Sequence, residues 1–431
     1  RPDDDVQMAV GRRFSCWLVM PWLVACSAVS PDPSKATIED LPVVVLNDEQ
    51  VASCAKLEGS AVDAVVRRRY EQAQALANRV LAINPRSAKA RAVLGMVKLQ
   101  MASTQQPSDW FSVRAGEVEM ELAKQLDPNS AFVGWMHAVF LAESGHMSAA
   151  AAAAEEALAR SVDALPSERA ALLGTAGTYR YELGEERAAR PHLESYVALR
   201  PDDSAAHFRL GSSLLSIAKT PQGSPPPYST AQAEAEAAAV AFERCFQLAP
   251  GDVDAGLAVA TAWIRAAELA NLQGSEAKQQ RDELYAKARD YLQKLVTPFP
   301  KNPEIYFRLG VLASLQDEPS AEYMTYQYLT ALDLDPNHVG SLLNLAGLMI
   351  AEGEVEAARS LMIRVMATGG GSADLTNKER ERIGRWLRES SKPVEGGAPK
   401  GGAAESGAAA GAAAGSGAGK SAAGERAASG G

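Results

Sequence analysis

Three sets of residues are of the right types for chemistry. The run Ala414-Gly415-Ser416-Gly417-Ala418-Gly419-Lys420-Ser421 spells the looser form of a glycine-rich phosphate-binding loop, with alanine at its first position. Such a loop works only between a buried strand and a helix, where backbone N–H groups converge on the phosphate. No apolar strand precedes this run, and a Gly/Ala/Ser tract produces the pattern easily, so no nucleotide is expected. The five histidines (His137, His146, His192, His207 and His338) are scattered, without metal-ligand spacing to Cys, Asp or Glu. Cys245 sits five residues before Pro250 and reads as a core side chain, and the many carboxylates read as solvated helix faces. No nucleophile, base and orienting group can be assembled from the spacing. The expectation is a protein that is not an enzyme, with no catalytic residue, metal or cofactor.

Composition narrows the classes further. The chain has 431 residues, with 43 Lys and Arg against 53 Asp and Glu, a net charge of -10. That balance opposes general binding to nucleic acid, which rests on clustered cations against phosphate. The one dense basic run, Arg67-Arg68-Arg69, would fan out if it were helical. Four cysteines do not make a disulfide framework. A hydrophobic fraction of 47% suits a folded chain, and no apolar run reaches the roughly 18 to 20 residues of a membrane-spanning helix.

The N-terminal region reads as an address. Residues 1–7 precede the first methionine and are expected to be an upstream segment or a remnant. Gly11-Arg12-Arg13 is cationic and Phe14 to Ala25 is apolar, the pattern of a secretory signal over residues 8–25. It ends Leu23-Val24-Ala25-Cys26-Ser27, which resembles the lipobox of bacterial lipoproteins. The resemblance implies that Cys26 is lipidated and becomes the N-terminus, and that Ser27 directs sorting to the outer membrane. At about 0.8 kcal/mol per buried methylene, three acyl chains would anchor the protein stably. The alternative is ordinary cleavage near Ala28, giving a soluble periplasmic protein. Residues 26–46 read as a tether, in which Val43-Val44-Val45-Leu46 suits either a short strand or an extended packing segment.

Internal repeats organise the rest. Helical runs close on a proline at Pro85, Pro128, Pro201, Pro250 and Pro336, with Pro166 and Pro300 fitting less perfectly. Ten residues on lies a small residue: Gly95, Ala138, Ala176, Gly211, Ala260, Gly310 or Ala346. Twelve residues before the next proline lies another, as in Ala73, Gly116, Ala189, Ala238 and Ala288, with Met324 an exception. Small residues let two helices approach where they cross, and proline ends the second helix. The pattern resembles the tetratricopeptide repeat, a helix pair of about 34 residues. It implies an all-α, right-handed solenoid over residues 47–368 with seven helix pairs after Pro85 and a degenerate pair before it. A capping helix is expected over residues 372–391, started by Asp374 or Thr376, and a disordered tail over residues 392–431.

In this family the first helix of each pair lines the groove where peptides bind. Positions seven, eleven and fourteen after each proline should face it, which brings up Trp135, Phe208, Leu257 and Phe307 as apolar anchors. Arg180, with Arg265 nearby, supplies positive charge there. The competing reading is that these side chains pack against neighbouring helices. The Lys/Asn clamp by which some members grip a terminal carboxylate is missing. The resemblance implies a scaffold lipid-anchored on the periplasmic face of the outer membrane, bound to protein partners of the envelope. Gliding-motility lipoproteins and type IV pilus pilotins are similar. The alternatives are an adaptor for peptidoglycan hydrolases or proteases, or a nucleotide-dependent regulator using the tail motif.

Overall fold

The structure is a computed structural model that describes residues 37–103, 110–219, 227–368 and 375–390. Cys26, the signal-like segment and the glycine-rich run at 414–421 lie outside the described residues. Every regular element among those residues is helical. The chain divides into two compact units, one ending at Leu126 and the other starting at Asp127.

The first unit holds α1 (Asp48–Val66), α2 (Tyr70–Ile83), α3 (Ala88–Ser103) and α4 (Trp110–Leu126). Asn47 and Gln50 start α1 with a reciprocal capping box. Arg67-Arg68-Arg69 is not helical: Arg67 ends α1, Arg68 has φ 57° and Arg69 precedes α2, so the run forms the turn. Val43-Val44-Val45 forms no strand and packs on little, with Val43 and Val45 exposed. Helix α3 is buried on most sides, and Gly95 shows why it can be. A Cβ there would lie 2.9 Å from the Gly116 carbonyl oxygen of α4. The two small residues of the pattern therefore face each other, backbone against backbone.

The second unit contains α5 (Ala131–Glu143), α6 (Met147–Arg160), α7 (Pro166–Glu182), α8 (Glu186–Leu199), α9 (Ser204–Lys219) and α10 (Tyr228–Leu248). It continues with α11 (Val253–Asn271), α12 (Lys278–Val296), α13 (Pro303–Ser314), α14 (Ala321–Leu334), α15 (Val339–Glu352), α16 (Val355–Thr368) and α17 (Asn377–Glu389). Each odd-numbered helix from α5 to α15 pairs with the next. Gly211 receives the Phe242 ring and Gly310 the Tyr328 ring, both at distances only a hydrogen tolerates. In α7 the crossing residue is Gly177 rather than Ala176, because its would-be Cβ meets Leu193 of α8. Pro166 is itself the first residue of α7, whereas α3, α5, α9, α11, α13 and α15 begin three residues after their prolines, so the crossing is the twelfth residue of α7 but the eighth of α3, α9 and α13.

Those six helices also share a start signal. Two residues after the proline, Ser87, Ser130, Asp203, Asp252, Asn302 or His338 accepts a backbone N–H of the first turn. At the far end Thr376 and Glu379 form a capping box for α17. Ile383, Trp386 and Leu387 then pack on the core built from α13 to α16. With paired helices, closing prolines and small crossing residues, the fold is an all-α tetratricopeptide-type solenoid.

Candidate protein-interaction surface

The first helices of successive pairs in the second unit lie side by side, and polar side chains link them. Trp135 of α5 donates its indole N–H to Thr175 of α7 at 3.0 Å. Arg265 of α11 donates to the Ala218 carbonyl at the end of α9 at 3.2 Å. Arg308 of α13 bonds the Thr261 hydroxyl of α11. His338, at the start of α15, meets Glu304 of α13 at 3.1 Å. Because His338 Nδ1 accepts the Ser341 N–H, its proton sits on Nε2 and is donated to Glu304. A row expected to face a partner is in large part a row of staples between repeats.

The six proposed contact residues separate on this test. Phe307 is 5% exposed, not a groove anchor: its ring lies against Tyr328 and His338 and fills the space that a side chain at Gly340 would occupy. Leu257 is likewise core, among Leu295, Ile305 and Leu309. Leu257 is covered because α10, α12 and α13 surround α11 with apolar neighbours, and Phe307 because α14 and the start of α15 close on α13. Phe208 is half-buried and stands edge-on to Phe242, centroids 5.3 Å apart. Trp135 is half-buried, edge-on to Phe132.

Arg180 is already neutralised. Glu155 of α6 takes it in two parallel bonds of 2.8 and 2.6 Å, and Glu185 takes its remaining nitrogen. His192 completes the cluster on Glu155. The Arg180 hydrogen bonds hold the Glu155 carboxyl below the usual carboxylate range. Arg265 is tied to Glu268 and to Ala218, although its Nε is buried without a partner among the described residues.

The two cysteines among the described residues, Cys54 and Cys245, are free and buried, and burial pushes the Cys245 thiol up to about 12, which leaves it protonated and inert. Among the described residues no group of three or more His, Cys, Asp or Glu side chains is placed to hold a metal, and no helix is long and apolar enough to cross a membrane. The sequence reading passed over Arg209 and Lys219 of α9. They have no hydrogen-bond or ion-pair partner among the described residues, and Lys219 is exposed. A signal was present: Phe208-Arg209-Leu210-Gly211 and Phe307-Arg308-Leu309-Gly310 repeat one tetrapeptide, but Glu304 stands four residues before the second arginine and Ala205 before the first.

No protein-family model matches the chain. The probable biofilm formation methyltransferase WspC of Pseudomonas putida is 31% identical over 103 residues, 24% of this chain. The chain spans only 22% of that protein's length, and a match of that extent carries no activity across. Among solved structures, PilF of Pseudomonas aeruginosa is similar at TM-score 0.38 and 16% identity, over 59% of this chain and 95% of its own. The tetratricopeptide protein YrrB is similar at 0.38 and 16%, over 52% and 95%. MamA of Desulfovibrio magneticus follows at 0.35 and 16%, over 47% and 98%. Likenesses at this level carry nothing about a partner across to this chain.

Proposed function

We propose that this protein is a non-catalytic interaction scaffold, held in the periplasm by a lipid on Cys26 and serving an envelope machine of the gliding-motility or type IV pilus type. The observation that carries the scaffold reading is the stacked array itself. Within the second unit successive pairs set their first helices side by side, which suits an extended partner segment better than a small substrate. The anchor rests on Arg12-Arg13, the apolar run to Ala25 and the tetrapeptide that ends at Cys26. Cross-linking in the native host, followed by purification and mass spectrometry, tests the scaffold. Envelope-machine subunits recovered in constant proportion support it, and recovery of hydrolases or proteases replaces the machine with an adaptor. Replacing Cys26 by Ser is expected to release the protein from membranes. Retention with normal processing refutes the anchor.

A further inference from the structure

The repeated Phe-Arg-Leu-Gly tetrapeptide puts two arginines at the same place in two helices, the sixth residue of α9 and of α13. Arg308 is spoken for: Glu304 accepts from its Nε at 2.8 Å, one helical turn back, and the Thr261 hydroxyl receives another N–H. Arg209 has Ala205 where Arg308 has Glu304, and among the described residues it bonds nothing. The nearby carboxylate of Asp203 is already engaged by the Tyr196 hydroxyl and the Ala206 N–H. Ten residues on, at the position that Glu268 holds in α11, stands Lys219, also without a bonded partner. Arg209, Ser212, Ser216 and Lys219 follow one another at spacings of three and four along one stripe of α9, about 15 Å long.

Two unpaired cations on one stripe, in a chain of net charge -10, are a local reversal of sign. Their surroundings add to it. Desolvation, with the nearby charges of Arg265 and Arg308 and against that of Glu268, depresses the Lys219 pKa. The carboxylates Glu268 and Glu304 are occupied by those same two arginines. We propose that the α9 stripe of Arg209 and Lys219 is where an acidic segment of a partner protein docks, its Asp or Glu side chains completing the bonds that the fold leaves open. The proposal rests on the scaffold reading and names the chemistry of the partner. The acidic remainder of the chain disfavours long polyanions and anionic surfaces, so a short peptide segment fits better than nucleic acid or a membrane.

The test uses the full chain and a fluorescein-labelled glutamate oligomer, with a glutamine oligomer of equal length as the control, read by anisotropy at low and high salt. The wild type is expected to bind the glutamate oligomer alone, more weakly as salt rises. An Arg209→Gln/Lys219→Gln double variant should lose about ten-fold or more in affinity. Its melting temperature should not fall, since neither side chain has a bonded partner to lose and Lys219 stands near Arg265 and Arg308. An Arg68→Gln/Arg69→Gln variant, which removes the same charge at the α1–α2 turn, should bind as the wild type does. Equal binding by wild type and the α9 double variant, or no preference for glutamate over glutamine, overturns the proposal. Host cross-linking separates it from the scaffold reading. Unchanged capture by the α9 double variant defeats the docking stripe alone, whereas glutamate binding with no captured partner defeats the scaffold alone.

Discussion

Replacing Gly95 by Ala tests whether small residues are present because the helices cross too closely for anything larger. The added Cβ would stand 2.9 Å from the Gly116 carbonyl oxygen and 3.3 Å from the Met120 nitrogen. Both atoms are backbone, so no rotamer change relieves the contact and α3 must move away from α4. Overpacking of this kind costs about 1 to 3 kcal/mol. Alanine returns about 1 kcal/mol through helix propensity, which leaves a net loss of roughly 0 to 2 kcal/mol. Gly347 of α15 is the control, because a Cβ there meets nothing within 4 Å. Gly347→Ala should therefore stabilise by about 0.5 to 1 kcal/mol. The two substitutions are chemically identical, and they should differ by about 1 to 3 kcal/mol. Because repeat arrays need not unfold in one step, native-state hydrogen exchange of the α3 and α4 amides is the local readout, with urea unfolding beside it. If Gly95→Ala protects those amides as well as Gly347→Ala protects its own helix, close approach is not what the small residues provide.

Further outcomes follow from the same structure. Arg308→Gln breaks the staple between α11 and α13 and should lower the melting temperature, in contrast to Arg209→Gln. Glu155, its carboxyl held low chiefly by Arg180, contributes stability above the unfolded carboxylate pKa of about 4.3 and loses it as pH falls through the lower folded value. Glu155→Gln should accordingly flatten the acid limb of the stability curve while lowering stability at neutral pH, as urea titrations at stepped pH would show. Thr376→Ala removes the cap of α17 and should cost about 1 kcal/mol, seen as faster amide exchange in α17 ahead of global unfolding.

The repeat was legible because it is written in residues with few substitutes. Proline cannot continue a helix, and only glycine or alanine fits a crossing, so Pro85 with Gly95 and Pro300 with Gly310 announce helix pairs from spacing alone. Pro166 misled by one residue: it opens α7 instead of preceding it, and the crossing falls at Gly177, one residue beyond the spacing of the other pairs. The contact residues were far less legible. Spacing assigns Phe307 and Leu257 to a face but cannot say whether a neighbouring helix already covers that face. Coverage depends on how closely α10, α12 and α13 pack around α11, and α14 and α15 against α13, which has no local signature. Arg180 failed for another reason: its partners Glu155 and Glu185 come from α6 and the turn after α7, and a charge read alone in a sequence looks free.

The staples between first helices explain why so little of the expected face remains available, and why what remains is informative. A solenoid has no long-range contacts to fix its pitch, so the angle between neighbouring repeats rests on whatever each helix exchanges with the next. Trp135 to Thr175, Arg265 to Ala218, Arg308 to Thr261 and His338 to Glu304 are such exchanges, and each consumes a side chain otherwise available to a partner. Arg209 lacks the carboxylate that Glu304 gives Arg308 within α13, having Ala205 one turn back, and it bonds no neighbouring helix among the described residues, so it keeps a charge in reserve. Supplying that carboxylate should consume the reserve. Ala205→Glu supplies Arg209 with the carboxylate that Glu304 gives Arg308, and should raise the melting temperature while weakening capture of acidic peptide by about ten-fold. If stability rises and glutamate binding is untouched, Arg209 is a spare structural residue and not a point of recognition.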